Sequence, residues 1–454
     1  MANTPDPLKP AVSSDEIYQE RWYSTFIQIA IPFFLAGTGT ICAGLLLGNV
    51  QDWTVYREMN ELFVLVSVLG GLKGNLDMCV AARMCTHSNM GQLSDRSSVI
   101  QILVGNMALV QLQAIVCAIF LSSIATLIHF VVQPDHERLK HFPIVTSSAL
   151  LTASISCFIL DSILMSVILF SQKYHFNPDY MATPFVASLG DVVTISMLSF
   201  TAAVLYELSE SHSWVCICLM AFYIFVLLPL WLTVVLRNSY VRPILMTSWI
   251  PVIGALCISQ VAGFVLSFTV DDFRGIAVFS PIINGIGGNM VSVQSSNMGS
   301  ILHQRSELGQ VPEDTRILEW PHRVYYLGTI YSRVSRILIA ISVPGNVILV
   351  YVADYLYMSY ISVRWPFLVG FVITSLFLLL ILLWIAHALV HLLWWRKIDP
   401  DTAAIPYLTA LGDALGTGLL AIMFHLLRLA NEEYQTKQLP WLRLNYDSLR
   451  GKAN

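Results

Sequence analysis

The sequence predicts an all-α polytopic membrane protein: two parallel five-helix repeats joined by a linking transmembrane helix. Three observations lead there. The 454 residues are 56% hydrophobic and only 12% charged, with a mean hydropathy of +0.66, whereas a soluble domain carries about 25% charged residues. Apolar runs long enough to cross a bilayer, about 20 residues, recur along the whole chain. Two eight-residue stretches repeat, Pro184-Phe-Val-Ala-Ser-Leu-Gly-Asp191 and Pro406-Tyr-Leu-Thr-Ala-Leu-Gly-Asp413, each preceded by a short turn (Asn177-Pro178-Asp179 and Asp399-Pro400-Asp401).

Residues 1–21 form a polar N-terminal tail. Spanning runs follow at 22–48, 61–83, 98–131, 146–171 and 181–206, then at 213–236, then at 243–270, 275–301, 337–361, 365–394 and 403–428. These divide the chain into a first repeat (22–206), a linking transmembrane helix (207–242), a second repeat (243–428) and a C-terminal tail (429–454). The longest connection, 302–336, is polar and charged. With the N-terminus cytoplasmic, the inner segments collect Lys9, Arg21, Arg83, Arg96, Lys173, Arg237, Arg242, the arginines of that connection, Arg396 and Lys397. The outer loops hold only Arg57, Arg138, Lys140, Arg274 and Arg364. This bias sets the orientation, although the basic residues of the C-terminal tail run against it. The expected location is the plasma membrane, with the lipid bilayer as the surrounding partner. A net charge of -4, spread over loops and tails, leaves no basic patch for nucleic acid. The eight cysteines (Cys42, Cys79, Cys85, Cys117, Cys157, Cys216, Cys218, Cys257) lack any CxxC spacing and read as small hydrophobes, not disulfides or metal ligands.

Self-similarity fixes the architecture. Gly71-Leu-Lys-Gly-Asn75 matches Gly285-Ile-Gly-Gly-Asn289, and the Gly-Asp motifs match at nearly the same spacing. Each half thus carries a Gly-Asn motif on its second helix and a Gly-Asp motif on its fifth. Five is odd, so direct fusion would invert the second half; the run at 213–236 restores a parallel arrangement. Parallel repeats are related by an axis along the membrane normal, which brings equivalent helices together around a central pathway.

The motifs carry the chemistry. An intramembrane carboxylate costs roughly 2.5–3.5 kcal/mol on insertion scales and persists with a partner or a function. Asp191 and Asp413 sit at matched positions, each on a stripe of small and polar residues: Pro184, Ala187, Ser188 and Thr194 in one half, Pro406, Thr409, Ala410 and Gly416 in the other. Gly74 and Gly288, beside Gly71 and Gly285, permit broken or closely packed backbone, and Asn75 and Asn289 add amides. Carboxylates, amides, hydroxyls and carbonyls are hard oxygen donors, which suit Mg, Ca or Mn over Zn or Cu. Magnesium keeps much of its water and needs only one or two carboxylates. The candidate metal-binding residues are therefore Asp191, Asp413, Asn75, Asn289, Gly74, Gly288, Thr194 and Thr409. Lys73 breaks the match to Gly287 and is expected to pair with Asp77 one turn on, or with Asp161.

Two other readings compete. An intramembrane metal-dependent enzyme would use His387, His391 and His425 and needs the His387/His391 pair to face Asp413. The alternative for that pair is a structural place at the inner interface, next to Trp394 and Trp395 as membrane anchors. A non-transporting scaffold would make both motif carboxylates structural.

Four segments resemble the eukaryotic solute carrier family 41 magnesium transporters of the MgtE superfamily: 71–84 (GLKGNLDMCVAARM), 177–191 (NPDYMATPFVASLGD), 280–296 (SPIINGIGGNMVSVQSS) and 399–413 (DPDTAAIPYLTALGD). The resemblance implies two fused five-helix units acting as a pseudo-dimer within one monomer, and Mg2+ as the transported ion with no enzymatic activity. It assigns the pore carboxylates to Asp191 and Asp413, and it suggests Na+ as a coupling ion. One departure stands out: Asn297 occupies the place of a basic residue similar to Arg83.

Overall fold

The computed structural model describes residues 22–89, 96–132, 136–173, 178–245, 249–273, 275–312, 315–326 and 331–434. Eleven long helices dominate. The first repeat holds α1 (Trp22–Val50), α2 (Glu61–Asn89), α3 (Arg96–Val132), α4 (His136–Lys173) and α5 (Pro178–His212). The linking helix α6 runs over Trp214–Arg237. The second repeat holds α7 (Trp249–Thr269), α8 (Ile276–Arg305), α9 (Ser332–Met358), α10 (Trp365–Trp395) and α11 (Pro400–Leu429).

Among the described residues ten of these are long and apolar enough to cross a membrane, and α2 is the exception. Its 29 residues suffice in length, but Lys73, Asn75, Asp77 and Arg83 interrupt the apolar run. The packing resolves the conflict: α2 is enclosed by α3, α4, α5, α7 and α11. A helix that faces protein on every side has no need of a lipid-compatible surface. Its counterpart α8 is likewise enclosed, by α1, α7, α9, α10 and α11. Both motif helices are continuous, with no break at their glycines; Gly71 and Gly285 serve close packing, while Gly74 faces open space.

The first helix of each repeat bridges the two repeats. α1 lies on α5 of its own repeat and on α8 and α9 of the second, and α7 lies on α11 of its own repeat and on α2 and α3 of the first. Glycines make the crossings possible. A Cβ at Gly44 on α1 would sit 2.1 Å from the Val278 carbonyl oxygen, and one at Gly263 on α7 would sit 2.7 Å from that of Val64. Val64 and Val278 are 214 residues apart, the spacing that also separates Gly71 from Gly285. One turn away the pattern recurs: Gly285 faces Thr40 of α1, and Gly71 faces Ser259 of α7. Small residues let helix backbones approach where lipid supplies no hydrophobic drive.

The linking helix α6 is peripheral. A π-helical turn at Tyr223–Leu227 precedes Pro229, whose missing N–H and bulky ring disturb the preceding turn. The polar connection after α8 is seated on α10: Trp384, His387 and Trp394 meet the backbone carbonyls of Glu319, Arg316 and Gln310 at 2.9, 3.1 and 2.9 Å. Trp394 is therefore buried, and only Trp395 keeps the exposure expected of an anchor, with the Arg396 guanidinium 5.2 Å from its ring. Cys117, Cys157 and Cys216 are buried as expected, but Cys42, Cys218 and Cys257 lie on outer helix surfaces; Cys85 lies outside the residues whose side chains are described.

Candidate cation site

The motif helices converge on one cavity of about 140 Å3. It is walled by matched positions of the two halves: Leu47 with Leu266, Gly71 with Gly285, Gly74 with Gly288, and Asp191 with Asp413. Ser67, Thr40, Ser280, Asn284, Asn289, Thr194 and Thr409 supply further oxygen.

The carboxylates approach the same turn of α2. The Asp191 carboxylate lies 3.5 Å from where Gly70 would carry a Cβ, and that of Asp413 lies 3.5 Å from the same point on Gly71. The absent side chains let two acidic groups from opposite repeats reach neighbouring points, close enough to interact electrostatically. Neither forms an ion pair among the described residues, so two partly buried carboxyl groups face the cavity together.

The hydroxyls are oriented to accept. Thr194 donates its proton to the Gly190 carbonyl at 2.8 Å, and Thr40 donates to that of Gly37 at 3.0 Å. With the proton committed to the helix, the oxygen's lone pairs remain for the cavity. Asn284 donates its amide N–H to Thr417 at 2.8 Å, while its carbonyl oxygen has no partner among the described residues and stands beside Gly416. Sequence reading missed Asn284, Thr40, Ser67 and Ser280. For Asn284 the signal was available, because it immediately precedes Gly285.

Of the candidate residues, Asp191, Asp413, Gly74, Gly288, Asn289, Thr194 and Thr409 line the cavity. Asn75 does not. It is buried behind the wall, where its oxygen accepts from Thr409 at 3.3 Å, so it steadies a lining residue from one step round the helix. The side chains of Pro184, Ala187 and Ser188 lie outside the described residues. Lys73 pairs with Asp77 at 3.0 Å, and both border the same cavity.

The histidines do not assemble a metal centre. His387 and His391 are buried with ring centroids 4.3 Å apart, but they pack against Tyr331 and the Arg316 carbonyl. They are absent from the cavity wall, and His425 is exposed on α11 beside Phe273. Their place is inside the fold, under the 306–326 connection, instead of at the interface. No group of three or more metal-binding His, Cys, Asp or Glu occurs among the described residues.

The profile of MgtE, described as a divalent cation transporter, matches residues 66–201 and again 280–423. Each match begins on the motif helix of one repeat. Solute carrier family 41 member 2 of Mus musculus and of Homo sapiens are each 37% identical over 408 residues, covering 89% of this chain and 71% of theirs. Solute carrier family 41 member 3 of Rattus norvegicus is 34% identical over 442 residues, covering 96% of this chain and 91% of its own. With the duplicated motifs facing one cavity, these likenesses place the chain in the MgtE divalent cation transporter family, within solute carrier family 41.

Proposed function

We propose that this protein moves Mg2+ across the membrane through the cavity between its two repeats, with Asp191 and Asp413 as the paired carboxylates that receive the ion. The observation that carries the reading is the meeting of two unpaired carboxylates, one from each copy of a duplicated motif, in one oxygen-lined cavity. Two anions match a divalent charge. The volume leaves room for several waters, which suits an ion that sheds its hydration shell reluctantly. Asn284, Asn289, Thr194 and Thr409 would contact the ion or its water. Because one chain supplies both carboxylates, a monomer suffices. Movement of Na+ in the opposite direction and residence in the plasma membrane, N-terminus inside, complete the proposal.

The test is Mg2+ flux into proteoliposomes containing the wild type or the Asp191→Asn/Asp413→Asn protein, with and without a sodium gradient. The double variant is expected to lose flux by about a hundredfold, equivalent to about 2.7 kcal/mol, while keeping its elution profile and thermal transition. Undiminished flux in the folded variant would move the ion path elsewhere.

A further inference from the structure

A second charged cluster borders the cavity beside the Asp191/Asp413 pair. On α2 the Lys73 ammonium lies 3.0 Å from Asp77, and both side chains are buried. Across from them on α4, Asp161 is fully buried, its carboxyl group within hydrogen-bonding reach of that of Asp77 and with no other hydrogen-bond partner among the described residues. The charged groups acting on Asp161 are Lys73, Asp77 and Arg83, all from α2; α3 brings only the thiol of Cys117 near Cys157, and α5 contributes none. Arg83 is turned the other way, donating to Asn106 of α3 at 2.7 Å. The second repeat packs the corresponding helices, α8 and α10, with Gly287, Val291 and Asn297 at the positions of Lys73, Asp77 and Arg83. Packing of this helix pair therefore does not require the charges.

We propose that Asp77 and Asp161 form a binding site for a small alkali cation, Na+ in the first instance, and that the Lys73 ammonium is the site's resident stand-in. The inference rests on the reading of the cavity as a divalent-cation path. Lysine's ammonium is a compact single charge on a flexible four-carbon stem, so Na+ replaces it with no change in the charge held by the two carboxylates. Access runs through the cavity, because Asp77 lines it and Asp161 lies behind Asp77. Na+ would use the hard carboxylate oxygens, with cavity water completing its shell. Once displaced, the Lys73 ammonium faces the cavity that holds Asp191 and Asp413, where it competes with a divalent ion. Na+ entry then favours Mg2+ exit, and by linkage bound Mg2+ weakens Na+ binding to the same degree.

The test is the equilibrium affinity of the purified full-length protein for Mg2+, titrated calorimetrically in NaCl and in choline chloride of equal ionic strength. Wild type is expected to bind Mg2+ more weakly in NaCl by about fivefold or more. Asp161→Asn, outside the divalent site, should bind Mg2+ in choline as wild type does but lose the sodium effect, and Asp161→Glu should restore it. Persistence of the sodium effect in Asp161→Asn would overturn the proposal. So would wild-type affinity that is equal in the two salts, a result that needs no variant to fold. Absence of Mg2+ binding in either salt would instead overturn the divalent reading of the cavity, and the inference with it.

Discussion

The two motif helices hold matched places in a repeated fold but differ in the charges they carry. α2 and α8 share their central place, their glycine crossings and their Gly-Asn motif, and the fifth helix of each repeat brings one carboxylate to the cavity between them. They differ in charge: α2 carries Lys73, Asp77 and Arg83, where α8 carries Gly287, Val291 and Asn297. What the halves share is the scaffold of the cavity. What they do not share is dispensable to that scaffold, since α8 holds its place without it. An asymmetric ion pair on a symmetric frame costs desolvation and points to a task of its own.

The sharpest way to break the comparison is to make α2 resemble α8. Lys73→Met alone leaves Asp77 and Asp161 buried with only Arg83 to offset them. Breaking a buried pair costs about 3–5 kcal/mol, which should appear as a large fall in the thermal transition of the detergent-solubilised protein. Lys73→Met/Asp77→Val removes both charges together and is expected to recover most of that loss, because neither partner of the pair is left buried without the other. A double variant as unstable as the sum of the two single variants would show that the charges stabilise α2 in a way α8 does not need.

The glycine crossings test the shared part. Ala at Gly44 places a Cβ 2.1 Å from a backbone oxygen, and at Gly263 places it 2.7 Å away. Backbone cannot step aside as a flexible side chain can, so overpacking of about 1–3 kcal/mol is expected at each, with Gly44→Ala the worse. Both should lower the thermal transition. An effect at only one would show that the two crossings are not equivalent.

How much of this was legible beforehand follows from the kind of information each feature needs. The paired carboxylates and the two Gly-Asn motifs were readable because duplication writes them twice, and the Lys73–Asp77 pair because its partners lie one helical turn apart. Asn75 was misplaced because a single step along a helix turns a side chain from cavity to wall, and no spacing rule resolves that step. Thr40 was missed because its neighbour Gly285 comes from the other repeat, and Ser280 because its neighbour Thr417 lies 137 residues on: an ordinary hydroxyl in an apolar run becomes a lining group only when distant helices meet. His387 and Trp394 were misjudged for a related reason. The 306–326 segment has no periodicity, and its backbone carbonyls, which bury both residues, carry no sequence signature.

The smallest expected effect lies where the halves differ outside the cavity. Asp354, buried at the end of α9, accepts from the Ser362 hydroxyl at 2.6 Å, from the Ser362 and Val363 backbone N–H at 2.6 and 3.0 Å, and from the Tyr434 phenol at 2.6 Å. The last turns of α3, its first-repeat counterpart, contain no acid, so this tie of the chain after α11 to α9 exists in one half only. Tyr434→Phe removes one of four donors while keeping the ring against Phe279 and Phe367, and a loss of about 1 kcal/mol is expected. Its pH dependence identifies the bond. Burial, then the hydrogen bond and negative charge of Asp354, push the Tyr434 phenol above its ordinary value of 10.0. A group whose pKa is raised by folding contributes fully below its unfolded pKa, and the contribution fades as pH climbs above it. Wild type should therefore lose stability above pH 10.0 more steeply than Tyr434→Phe, closing the gap between them. Parallel curves across that range would mean that the phenol is not bound to a carboxylate and that the tie rests on ring packing alone.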